Sequence, residues 1–233
     1  MSIIADNAKR ILDDIRQVSL RAGRSEDAVS LVAATKMNPP ERIQEAIGAG
    51  IKICGENRVQ ELTDKLSQDA FHGADVHFIG HLQRNKVKYV TGRCGLIQSV
   101  DSVTLMELIS KRAVSMGTVQ DILIEINVGG EESKSGIEPA KADELIAQAA
   151  NYPGIAVKGL MCIPPYEDDR QILCNYFRLM RNLFIDIEAK KYDNVNMRIL
   201  SMGMSGDYAQ AIAEGATMVR VGSAIFGMRH YDK

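Results

Sequence analysis

Apolar residues at the start of the chain recur at spacings of three and four, as Ile3, Ile4, Ala8, Ile11, Leu12, Ile15, Val18 and Leu20, with charged residues between them. That period predicts an amphipathic helix over residues 1–22, closing near Gly23 and preceding any strand. From Val29 the pattern changes to short apolar runs: Val29 to Thr35, Ile51 to Cys54, Val76 to Ile79, Leu96 to Gln98, Ile122 to Val128, Val157 to Ile163, Arg198 to Met202 and Met218 to Gly222. Runs of this length read as buried strands. Between them lie helical patterns through Ile43, Ala46 and Ile47, then near Val59 to Leu66, Arg84 to Val90, Val103 to Ser115, Ala140 to Ala150, Gln171 to Lys190 and Tyr208 to Glu214.

Strict alternation of strand and helix implies parallel pairing through crossovers. Eight such units in 233 residues predict an α/β fold, a single (β/α)8 TIM barrel with an extra N-terminal helix, rather than an open doubly wound sheet. An open sheet with a dinucleotide site would carry Gly-x-Gly-x-x-Gly after the first strand. The segment there reads Ala33-Ala34-Thr35-Lys36-Met37-Asn38. No low-complexity linker interrupts the pattern, so residues 1–233 are expected to form one domain.

Composition narrows the function classes. Lys plus Arg total 28 against 30 Asp plus Glu, so no basic surplus argues for nucleic acid as the main ligand. Met1 to Val18 is too charged for a secretory leader, and no apolar run approaches the roughly 18 residues that cross a bilayer. Cys54, Cys94, Cys162 and Cys174 form no Cys-x-x-Cys pair, as expected of reduced thiols in a cytoplasmic protein. His77 and His81 fall in a strand and its following loop, so no metal site is expected of them.

A barrel builds its site at the C-terminal ends of its strands. Polar and charged residues crowd those positions: Lys36, Glu56, Asn57, His81, Asp101, Asn127, Ser201 to Ser205 and Arg220 to Ser223. Two of the turns, Ser201-Met202-Gly203-Met204-Ser205-Gly206 and Gly222-Ser223-Ala224, have the small residues and hydroxyls that let backbone N–H groups approach a phosphate. Barrel closure brings the last strand, and so this cup, beside Lys36. A strand-end lysine next to a phosphate cup suits Schiff-base chemistry, either with pyridoxal phosphate or with a sugar-phosphate carbonyl. Arg220 lies within the apolar strand Met218-Val219-Arg220-Val221-Gly222 and needs a partner there, either a pyridine nitrogen or a barrel carboxylate such as Glu125.

Six segments carry a resemblance: Val32-Ala33-Ala34-Thr35-Lys36; Gly55-Glu56-Asn57-Arg58-Val59-Gln60-Glu61; His77-Phe78-Ile79-Gly80-His81-Leu82-Gln83-Arg84-Asn85-Lys86; Ser133-Lys134-Ser135-Gly136; and Ser201-Met202-Gly203-Met204-Ser205 with Val219 to Gly227. Together, and in order along nearly the whole chain, they closely resemble the pyridoxal phosphate homeostasis proteins, whose barrel is like the N-terminal domain of alanine racemase. The resemblance implies that Lys36 carries pyridoxal 5'-phosphate as an internal aldimine, with Arg220 near the pyridine nitrogen. It places Ser201, Gly222 and Ser223 around the phosphate, and Asn57, His81 and Met204 at the ring or the mouth. It implies a cytoplasmic carrier of vitamin B6 without a catalytic residue of its own, a monomer or weak dimer that exchanges cofactor with pyridoxal-phosphate-dependent apoenzymes and involves neither nucleic acid nor membrane.

The sequence departs from the family pattern at Asn38, where many relatives have a second basic residue; Lys134 is a candidate substitute. The alternative readings are a pyridoxal-phosphate-dependent racemase and a Schiff-base sugar-phosphate enzyme. A racemase of this fold needs a second acid–base group, which in alanine racemase comes from a further C-terminal domain not expected here. Tyr166 is the candidate replacement. The basic run Gln83-Arg84-Asn85-Lys86-Val87-Lys88 reads as a solvated helix face.

Overall fold

The computed structural model describes residues 2–131 and 134–227, so Ser133 of the quoted motif and residues 228–233 lie outside the described residues. The Ser2 hydroxyl accepts the Ile4 N–H at 3.2 Å and caps α1 (Ile3–Arg21), whose buried face is Ile4, Ala8, Ile11, Ile15 and Val18. The chain then alternates as the pattern predicts: β1 (Ser30–Ala34), α2 (Pro40–Gly48), β2 (Ile53–Glu56), α3 (Val59–Ser67), β3 (Asp75–Phe78), α4 (Val87–Val90), β4 (Leu96–Val100), α5 (Val103–Ser115), β5 (Gln120–Ile126), α6 (Ala142–Ala147), β6 (Ile155–Cys162), α7 (Arg170–Lys190), β7 (Val195–Ser201), α8 (Tyr208–Ala213), β8 (Met218–Val221) and α9 (Ser223–Phe226).

Among the described residues the eight strands pair in parallel, each with its sequence neighbour, and close into a barrel when β8 pairs with β1. The closing register sets Val32 opposite Arg220 and Ala33 opposite Val221. Alternation divides each strand between two cores. Val32, Ile79, Leu96, Leu123, Met161 and Met218 fill the barrel interior, while Leu31, Ala33, Ile97, Ile122, Ile124, Leu160 and Val219 meet the helices outside. The interior phase also carries His77, Gln98, Glu125, Ser201 and Arg220, all buried, so part of the barrel is polar.

The N-terminal helix braces the strand-seven and strand-eight side. Asn7 Nδ2 donates to Ile225 O at 3.1 Å and Tyr208 Oη donates to Asp14 Oδ2 at 2.5 Å, while Arg24, just past the helix end, donates from Nη1 to Ala216 O at 2.6 Å and Ile212 O at 3.1 Å. Arg42 of α2 donates to Phe226 O from the other side.

Several boundaries differ from the sequence expectation. The helix expected over Arg84 to Val90 is a 3₁₀ turn, Arg84–Lys86, followed by the single turn of α4. The one expected over Ala140 to Ala150 is α6 between 3₁₀ turns Pro139–Lys141 and Gln148–Asn151. Pro139 donates no N–H, and Pro153 limits the chain after Asn151, so neither end extends an α-helix. Strand β7 begins at Val195, before the expected Arg198, because exposed Asn196 hides its start from an apolar reading. The four-residue α9 is too short to leave a periodicity. Among the described residues no helix is long and apolar enough to cross a membrane.

The long helix α7 packs Leu173, Phe177, Met180, Phe184 and Ile187 against the barrel, and Phe177 is wholly buried. Phe177→Ala is expected to lower unfolding stability by about 3–5 kcal/mol, read from the urea midpoint at constant slope. A loss under about 1 kcal/mol would show that this face is not core.

Candidate functional site

The end of β8 abuts the end of β1. A Cβ built on Gly222 would lie 3.3 Å from Ala34 Cβ and 3.4 Å from Ala34 O, so the absence of a side chain there lets the two strand ends meet closely. Lys36 follows Ala34 by two residues, in the turn after β1, and is half-buried.

The backbone around Lys36 is held on both sides. Thr35 O accepts from Asn38 N–H at 3.1 Å and from Lys65 Nζ at 2.9 Å, and the Met37 N–H donates to Glu61 Oε2 at 2.7 Å. Met37 adopts φ +62°, a left-handed conformation that a side chain other than glycine rarely takes. Asn38, expected to matter as the position of a lost second base, instead donates its amide to Lys36 O at 3.1 Å and closes the turn. Lys134 pairs with Glu131 at 2.5 Å and donates to Pro164 O at 3.3 Å.

Arg220 is buried, and it has no carboxylate within ion-pair distance among the described residues, so the alternative of a direct pair with Glu125 is not realised. Its Nη1 donates to Ser201 Oγ at 2.6 Å and its Nη2 to Cys162 O at 2.8 Å. Ser201 Oγ donates in turn to Gln98 Oε1 at 2.7 Å, and Gln98 Nε2 lies 3.0 Å from His77 Nδ1. An amide nitrogen only donates, so His77 Nδ1 accepts, and the ring proton sits on Nε2, 3.3 Å from Asp75 Oδ2. A hydrogen-bonded chain thus runs from the guanidinium across the barrel interior to Asp75. Burial lowers the Arg220 pKa, opposed by Cys162, Glu125 and Asp207.

Ser201, expected at the phosphate, has a wholly buried side chain engaged by Arg220 and Gln98. The hydroxyl that meets the Gly222 turn is Ser205, whose Oγ accepts from Gly222 N–H at 3.3 Å and Ala224 N–H at 3.5 Å. Ser205 stood in the quoted motif, and its position after Gly203 was the available signal. Gly203 takes φ +94° and lies where a Cβ would come 2.6 Å from Ala211 Cβ, which fixes the loop against α8. Ser223 is exposed at the start of α9, and Met204, half-buried, donates its N–H to Asp207 Oδ1 at 2.5 Å.

Asn57 and His81 come together at a cavity of about 300 Å³ between the loops after β2 and β3, with Arg58, Gln83 and Lys86 also lining it. Asn57 Oδ1 is buried without a partner among the described residues, and Gly80 packs so closely that a Cβ would lie 2.1 Å from Asn57 O. His81 is exposed, its Nδ1 3.1 Å from Ser135 Oγ, and it stands apart from the interior His77. Tyr166 is 89% exposed and donates its hydroxyl to Asp168 Oδ1 at 2.7 Å, pointing it away from an interior acid–base role. Cys54 and Cys162 are core thiols, as expected, their pKa values pushed up to about 12 chiefly by burial.

Comparison with known proteins returns one family model, the alanine racemase N-terminal domain, over residues 7–230. A pyridoxal phosphate homeostasis protein of Aquifex aeolicus is 45% identical over 226 residues, covering 97% of this chain and 98% of that protein. A crystal structure of an unknown protein from Bifidobacterium adolescentis superposes with TM-score 0.91 at 40% identity, over 96% of this chain and 94% of that one. PipY of Synechococcus elongatus PCC7942, solved with PLP bound, superposes with TM-score 0.80 at 30% identity, over 96% of this chain and 100% of its own.

Glu125 faces the same interior, with Oε2 buried and unpartnered among the described residues, and burial plus the nearby Asp101 raise its pKa to about 7 against the pull of Arg220. A carboxyl raised above its unfolded value contributes stability that is full below the unfolded pKa and lost as pH rises through the folded one. Wild type is therefore expected to lose about 2–3 kcal/mol relative to Glu125→Gln between about pH 5 and pH 8, measured by paired urea titrations. A pH-independent difference would show that the carboxyl is not neutral when folded.

Proposed function

The chain belongs to the pyridoxal phosphate homeostasis proteins, built on the alanine racemase N-terminal domain, and from that premise we propose that it binds pyridoxal 5'-phosphate at the β1–β8 seam, through Lys36, and serves vitamin B6 homeostasis. The observation that carries the reading is the closing register: Val32 opposite Arg220 sets a half-buried lysine, a buried guanidinium and the Ser205–Gly222 turn at one end of one strand pair. The donor set suits the group. Gly222 and Ala224 N–H reach Ser205 Oγ only at 3.3 and 3.5 Å, which leaves them well placed to turn to a phosphate oxygen, and Lys36 supplies a primary amine.

When bound, the cofactor supplies an aldehyde that condenses reversibly with a primary amine. Lys36, in the turn after β1, would supply that amine. Arg220, fixed by Ser201 and Cys162 O, would offer a pyridine nitrogen a cation that does not give up its proton. An arginine there leaves a pyridine nitrogen unprotonated and weakens it as an electron sink, which favours holding the cofactor over carbanion chemistry. Gly222, Ser223 and Ser205 would hold the phosphate, and Asn57, His81 and Met204 would border the mouth.

This reading makes the protein a carrier that gives up its cofactor to competing amines and to apoenzymes rather than a racemase. The exposed Tyr166, bonded to Asp168, supports it against the racemase reading. In a side-by-side assay with excess amine, the protein is expected to release pyridoxal phosphate faster than an alanine racemase does, with no interconversion of amino-acid enantiomers. Slower release, or racemisation, would contradict the carrier reading.

A further inference from the structure

Beneath the Lys36 turn lies a polar cluster that the cofactor site does not use. Lys65, on α3, is a lysine with only 7% of its surface exposed, and its Nζ meets Glu56 Oε1 at 2.5 Å, Thr35 O at 2.9 Å and Glu61 Oε2 at 3.3 Å. Glu56 is wholly buried at the end of β2 and also accepts the Thr35 hydroxyl at 2.5 Å. The two ends of the cluster grip the two neighbours of Lys36: Thr35 through its carbonyl and hydroxyl, Met37 through the N–H held by Glu61. Taking two charges out of water is costly, and a pair so buried is weak evidence for stability by itself. What this pair does geometrically is fix a turn whose Met37 sits in a conformation disfavoured for a side chain.

We infer that Lys65, Glu56 and Glu61 are positioning residues for the Lys36 amine: they clamp the peptide on both sides of Lys36 in the turn after β1. The inference rests on Lys36 being the amine that takes the cofactor, but the clamp itself is made by the chain's own residues. Glu61 is the informative member because it is partly exposed, at 23% of its side chain, and touches Met37 N–H while Glu56 still pairs with Lys65. Removing its carboxylate frees one side of the turn and leaves the buried pair in place. Glu61→Gln retains an oxygen that can accept the Met37 N–H.

The experiment compares wild type, Glu61→Ala, Glu61→Gln and Lys65→Met by amide hydrogen exchange at Met37 in cofactor-free protein. It adds the rate at which pyridoxal phosphate generates a visible band, and a thermal melt to establish that each variant is folded. Glu61→Ala is expected to speed Met37 exchange and to slow band formation, each by about tenfold, with Glu61→Gln within about threefold of wild type on both. Lys65→Met is expected to lose at least as much as Glu61→Ala on both. A folded Glu61→Ala with wild-type exchange and uptake overturns the inference, as does an equal loss in Glu61→Gln and Glu61→Ala. If Met37 exchange responds as expected but wild type itself gives no band, the clamp stands and the cofactor assignment of Lys36 falls.

Discussion

A guanidinium buried inside a barrel constrains everything near it. Taken from water without compensation it would cost several kcal/mol, so its N–H groups must be satisfied in place. Here Ser201 Oγ and Cys162 O do that, and the serine can accept from Arg220 because Gln98 takes its proton. Gln98 is oriented in turn by His77, and His77 by Asp75. The interior of the barrel is therefore built outward from Arg220. A cation held this way, with no carboxylate in contact among the described residues, keeps its charge available to a ligand, which an ion pair with Glu125 would have quenched.

The opposite requirement governs Lys36. A nucleophilic amine has to be aimed rather than buried, and the chain leaves β1 at Ala34, two residues too early for the sheet to do the aiming. The aiming passes to the turn: a left-handed Met37, an Asn38 amide on Lys36 O, and the Lys65–Glu56–Glu61 cluster below. Asn38 thus has a structural task in a position where the family pattern suggests a second base. The two halves of the site meet only because β8 closes on β1, with Gly222 bare enough to lie against Ala34.

The fold was legible because its signal is periodic: eight apolar runs alternating with helical spacing leave few architectures, and the extra helix announced itself through Ile4, Ala8, Ile11 and Ile15. Lys36 and Arg220 stood out as charges in or just after apolar strands, a signal that survives without coordinates. What the sequence did not reveal were partnerships set by register. Ser201 and Ser205 lie four residues apart in one motif, and only the register of β7 against β8 shows that the first serves Arg220 and the second the Gly222 turn. Gln98, an amide in an apolar run, and Lys65, a helical lysine among several, look ordinary until the barrel brings His77 and Thr35 to them. Glu125 was weighed only as an ion-pair partner, a contact the structure does not make.

The central claim is that the Lys36 amine, set beside the buried Arg220, is where pyridoxal phosphate attaches. The most direct test is to add pyridoxal phosphate to wild type and Lys36→Ala, record the visible spectrum before and after borohydride, and map any locked adduct by peptide mass spectrometry. Wild type is expected to show a yellow band that borohydride bleaches, with the adduct on Lys36 alone, and Lys36→Ala neither band nor adduct. A colourless wild type, or an adduct that persists at another lysine when Lys36 is gone, would contradict it.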